Sequence, residues 1–132
     1  MNATTNLVYY VGDRDEWQVE AVKKIFSFQS LVKNWDSYGS EPIAQGAISL
    51  AMDLINHVGF GNVPAPRVIP VSGGGIQLEW VKGNRELEVE VHPNGTIEYL
   101  SAYNGEPTGE AEVEPREALP EAERLLSWLS AG

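Results

Sequence analysis

The sequence predicts an α+β fold: two N-terminal helices and one C-terminal helix packed on one face of a four- to five-stranded antiparallel meander. Three observations carry it. Residues 13–58 place apolar side chains at spacings of three and four, residues 76–102 alternate them at a spacing of two around short Gly/Asn turns, and residues 120–129 return to a helical stripe.

The chain has 132 residues, of which 42% are hydrophobic, enough for one core and in the ordinary range for one domain. One domain over residues 1–132 is expected, with residues 1–6 outside its ordered core. No window approaches the 18 or more uncharged apolar residues that a membrane span needs, and Met1–Asn6 lacks the basic start of a secretory signal. A cytoplasmic location is expected. The absence of cysteine excludes disulfides, thiolate zinc sites and cysteine nucleophiles, so any metal would rest on carboxylates and on His57 and His92. Nine basic against nineteen acidic residues give a net charge of −10, which opposes direct binding to nucleic acid or an anionic membrane and favours basic partners.

The first helix is expected to start at Asp13-Arg14-Asp15-Glu16, where a carboxylate can cap and Glu16 can reach back, and to run to about Trp35. Its apolar residues, among them Trp17, Val22, Phe26, Phe28 and Val32, cover more than one stripe, so it should lie against two neighbours. After the loop Asn34-Trp35-Asp36-Ser37-Tyr38-Gly39, Ser40 is the expected cap of a second helix, with Pro42 in its first turn and Gly59 at its end. Ile43, Ala47, Ile48, Leu50, Ala51, Leu54, Ile55 and Val58 keep to one face of it.

Arg67–Val71 reads as a strand that Pro70 confines to an edge or entry position. Ser72–Gly75 is then a flexible turn; no GK[ST] follows it, and it leads into a strand, so nothing supports a phosphate loop. A two-residue Gly83-Asn84 loop pairs Trp80 with Leu87, Leu78 with Val89 and Ile76 with Val91, placing every apolar residue on one face. A three-residue Pro93-Asn94-Gly95 loop sets Val91 opposite Ile97 and Val89 opposite Tyr99, whereas a two-residue loop would oppose Val91 to Glu98. The longer loop is therefore expected. A further strand near Gly109–Val113 returns from Asn104-Gly105 with Ala111 and Val113 inward, and the last helix starts near Pro120 with Ala122, Leu125, Leu126 and Leu129 as its apolar stripe.

This register gathers Glu79, Glu86, Glu88, Glu90 and Glu98 on one surface, with His92 at its margin. Like charges opposite one another on neighbouring strands are unfavourable, by roughly 1 kcal/mol per close pair in water. Such a cost fits a face complementary to a basic surface, and it also fits a solvated outer face that keeps the sheet from aggregating. No D-x-D-x-D-G loop is present, and the expected set of metal ligands is none.

Trp35, Asp36 and Tyr38 form a second candidate set in the interhelical loop. They read either as a recognition loop or as structure, with Trp35 plugging a helix end and Asp36 making an Asx turn. His57, in the last turn of the second helix, suits a capping role there. No serine or cysteine nucleophile accompanies His92 and Glu90, so no catalytic residue is expected.

Asn34-Trp35-Asp36-Ser37-Tyr38-Gly39 with Pro42-Ile43, then Pro64, Pro66 and Val68, then Gly75–Trp80, Glu88–Val91 and Asn94-Gly95, resembles a pattern shared by a set of small bacterial proteins with no assigned activity. The resemblance spans about Leu31 to Leu100. It implies a bacterial or phage source and a shared fold, and it brings no cofactor or catalytic residue with it.

The expected function is that of a non-enzymatic protein-binding module without a cofactor. It would act as an antitoxin, inhibitor or accessory subunit in a bacterial or phage defence or toxin system, engaging a basic toxin, effector or nucleic-acid-binding protein. The candidate contact residues are Glu79, Glu86, Glu88, Glu90, Glu98, Trp35, Asp36 and Tyr38. The rivals are a metal-dependent hydrolase built on Glu79, Glu88, Glu90, Glu98 and His92, and a DNA-mimicking phage inhibitor of the anti-CRISPR kind.

Overall fold

A computed structural model of the chain describes residues 16–57 and 63–132. Helix α1 (Glu16–Ser27) passes into a 3₁₀ turn at Phe28–Ser30, and helix α2 spans Gln45–His57. Five strands follow, β1 (Arg67–Val71), β2 (Gly75–Lys82), β3 (Arg85–Val91), β4 (Ile97–Tyr103) and β5 (Glu106–Val113), and helix α3 (Pro115–Ser130) closes the chain. The strands pair antiparallel in sequence order, giving a meander with β1 and β5 at its edges. Together the three helices and five strands make the α+β arrangement that the periodicities predict.

The register falls where the turns require it. Ile76 pairs with Val91, Leu78 with Val89 and Trp80 with Leu87, around a two-residue Gly83-Asn84 turn in which Gly83 takes φ +59°. Val91 opposes Ile97 and Val89 opposes Tyr99, with Gly95 at φ +88° donating its N–H to the His92 carbonyl. The last hairpin turns on Asn104 and Gly105, both with positive φ, and a bulge between Ser101 and Ala102 shifts the pairing onto β5. Val113 faces inward opposite Ile97, whereas Ala111 shares that side of the sheet but stays exposed.

On the helix side, Ile76, Leu78, Leu87, Val91 and Ile97 are fully buried, together with Ile25, Ala47, Ala51, Leu54, Ile55 and Leu129. Helix α1 packs on α2 and on β1, the two neighbours expected of it, while α2 covers β2 and β3 and α3 reaches from β2 to β5. The buried Gln18 carboxamide donates to the Ile55 carbonyl at 3.0 Å, tying α1 to α2 without leaving that oxygen unpaired.

Three helix boundaries differ from those the sequence predicts. The first helix stops at Ser27 instead of continuing to Trp35, and Phe26 and Val32 face solvent at 52% and 70% exposure, so its apolar surface is narrower than its composition suggests. The second helix begins at Gln45, not at Ser40. The Ser40 hydroxyl bonds Asp36 and Ser72, and Ala44 donates to the Gly74 carbonyl, so the β1–β2 turn holds the segment before α2 in an extended course. The third helix begins at Pro115, and Pro120 lies inside it. A proline at N1 loses no helical bond, and the bond missing at Pro120 frees only the carbonyl of exposed Arg116, which water can satisfy.

The expected stripe Ala122, Leu125, Leu126 and Leu129 is buried, joined by Ala118. At the far end of α3, Lys82 Nζ donates to the Ser130 carbonyl and Arg85 to that of Trp128, placing two cations at the negative end of the helix dipole. The Arg85 guanidinium also lies 5.1 Å from the Trp128 ring. The readings made at residues 1–15 and at Val58 and Gly59, including the Asp13 cap, fall outside the described residues.

Candidate functional site

The outer side of the sheet carries what the inner side leaves over. Because side chains alternate, the residues between Leu78, Leu87, Val89 and Ile97 must point away from the helices, and these are largely glutamates. The pairing sets Glu79 beside Glu88, and Gln77, Glu90, Glu98 and Glu112 in one row across four strands, with Glu110 two residues from Glu112. With Glu86, seven carboxylates share the face.

Glu110 and Glu112 were absent from the set read in the sequence. The signal was there: a strand with Ala111 and Val113 inward must turn Glu110 and Glu112 outward.

Few cations offset this charge. Among the described residues, Arg67 pairs with Glu79 at 3.1 Å from the β1 edge, and His92 stands between Glu98 (Nε2 to Oε1, 2.7 Å) and Glu90 (Nδ1 to Oε2, 3.4 Å). Gln77 also donates to Glu79. Glu86, Glu88 and Glu110 are exposed and enter no ion pair among the described residues. Leu100 lies between Glu88 and Glu110 in the register, and around it Gln77, Glu88, Glu90, Glu98 and Glu110 rim a shallow depression of about 220 Å³. Its aliphatic centre and carboxylate rim have the chemistry that receives a Lys or Arg side chain, stem on the leucine and charge among the oxygens.

The loop candidates sit apart from this face. Asp36 makes the Asx turn, accepting from Tyr38 N at 2.9 Å, and also accepts from the backbone and hydroxyl of Ser40. These bonds, led by that of the Ser40 hydroxyl, hold its pKa below the ordinary value of 3.8. The half-buried Trp35 indole packs on the core and donates to the Glu41 carbonyl at 2.9 Å, so it closes the loop instead of plugging the end of a helix. Tyr38 is 90% exposed and is the one member of the trio whose ring is presented to solvent. The bonds of Trp35 and Asp36 run within the loop and, through Ser40, to Ser72. His57, at the end of α2, uses Nδ1 to donate to the Asp53 carbonyl at 2.8 Å, the terminal role its position suggested.

A larger groove of about 670 Å³ runs between α1 and β1, lined by Trp17, Glu20, Lys24, Pro66, Arg67 and Ile69, and meets the acidic face at Arg67, the partner of Glu79. No described helix is long and apolar enough to cross a membrane. No protein-family model matches the chain, and no curated protein or solved structure is significantly similar to it.

Proposed function

We propose that this protein is a non-enzymatic binding module whose glutamate-covered sheet face engages a basic surface on another protein, in the manner of an antitoxin, an inhibitor or an accessory subunit. The observation that carries the reading is the register. Seven carboxylates are held on one side of a rigid sheet, Glu79 against Glu88 and Glu98 against both Glu90 and Glu112, with only Arg67 and His92 set against them among the described residues. Neighbouring like charges cost free energy in the isolated protein, and a basic partner converts that cost into attraction and faster encounter. The shallow depression around Leu100 supplies a seat for one basic side chain. Tyr38, exposed on its loop, is a second contact candidate.

The test is capture from bacterial lysate by the intact protein and by the Glu88→Lys/Glu90→Lys variant, with retained proteins identified by mass. The reading expects a basic partner that is released by salt and lost on charge reversal. Retention of the same partners by both proteins would remove the acidic face from the account.

A further inference from the structure

We propose that His92, Glu98 and Glu112 form a binding site for one divalent transition-metal ion of the Zn²⁺ type. Donor atoms of these three side chains all lie within 4.8 Å of one another. They come from three places in the chain: the turn after β3, the second position of β4, and the partner of that position on β5. No local sequence motif could announce such a set, because the antiparallel pairing creates it.

The histidine separates this corner from the rest of the acidic face. Glu90 stands at its Nδ1, which turns Nε2 toward Glu98, and an imidazole held by a carboxylate on one nitrogen is the usual arrangement of a metal-bound histidine. The turn bearing His92 is itself fixed: His92 N donates to the Thr96 carbonyl at 2.9 Å, and the Asn94 carboxamide oxygen accepts from both Thr96 N and the Thr96 hydroxyl. Metal bonds of about 2.0–2.2 Å place tetrahedral donors roughly 3.3 Å apart. Glu98 and Glu112 are exposed, so no packing holds their side chains away from that spacing.

One imidazole with two carboxylates suits Zn²⁺ or Mn²⁺ better than Mg²⁺ or Ca²⁺, which take all-oxygen shells. Three protein ligands leave a position open to water or to a donor from another molecule. The ion would also neutralise the opposed pair Glu98 and Glu112. This site does not rest on the protein-binding reading, and its test requires no partner.

The experiment is isothermal titration of the full chain with ZnCl₂, MnCl₂ and MgCl₂, one at a time. The site requires a single saturable Zn²⁺ event tighter than about 1 mM and at least tenfold tighter than Mg²⁺. His92→Ala and Glu112→Gln should each weaken it by tenfold or more, on the scale of lost metal-site groups. His57→Ala and Glu86→Gln should leave it unchanged. Circular dichroism checks that each variant folds, and Glu98→Gln stands in for any that does not. The proposal is overturned by the absence of saturable Zn²⁺ binding, by equal affinity for Mg²⁺, or by full affinity in His92→Ala.

Discussion

The two sides of one sheet behave as two different molecules. On the helix side, Leu78, Leu87, Val91 and Ile97 are fully buried, and each strand contributes its share of one continuous core. On the other side the same strands present glutamates to water, several of them directly opposed. Folding energy therefore comes mainly from one side, while the other carries charge to solvent. That division makes exposed outer positions such as Glu86, Glu88 and Glu110 open to substitution, because none of them belongs to the buried core.

The comparison breaks most visibly from the inside. Leu87→Ala removes a fully buried side chain opposite Trp80 and should cost about 2–5 kcal/mol, read as a lower urea midpoint with unchanged slope. Gly75→Ala comes next. A Cβ there would lie 2.7 Å from the Val91 carbonyl oxygen, backbone against backbone, and the loss should be about 1–3 kcal/mol by the same measurement.

The outer face should respond with the opposite sign. Glu88→Thr takes one carboxylate away from Glu79 and places a strand-favouring residue in β3, so stability should rise by up to about 1 kcal/mol, more at low salt than at high. A loss on that substitution would mean that the glutamate face is structural after all.

The smallest effect lies outside both faces, at Asp36. Its folded pKa is depressed by the Ser40 hydroxyl and the Tyr38 N–H, so its contribution is present above the unfolded value near 3.8 and is lost as pH falls through the lower folded value. Asp36→Asn should therefore lower the melting temperature at pH 7 and make little difference near pH 2, which thermal scans at the two pH values resolve.

What the sequence made legible follows the range of the forces involved. The hairpins were readable because Gly83-Asn84 and Pro93-Asn94-Gly95 fix the pairing locally, and a slip of one residue would bury glutamates. The candidate face followed from the same pairing, short of Glu110 and Glu112. Helix boundaries were not readable, because distant partners decide them. Ser40 has the composition of a cap, yet its hydroxyl is taken by Asp36 and by Ser72, thirty-two residues further along. Phe26 and Val32 look like core residues but are exposed, outside the buried core formed by the described residues. The His92, Glu98 and Glu112 cluster lay beyond reach for a related reason: its third member sits on β5, whose pairing includes a bulge.

Both margins of the sheet carry an imino acid, Pro70 in β1 and Pro107 in β5, and β5 adds Glu106, Glu110 and Glu112. A newcomer strand seeking to extend the sheet meets missing amide donors at either border, and at the β5 border it also meets negative charge. Recruitment by strand addition is thus disfavoured, which directs any visitor to the broad glutamate surface or the helical back.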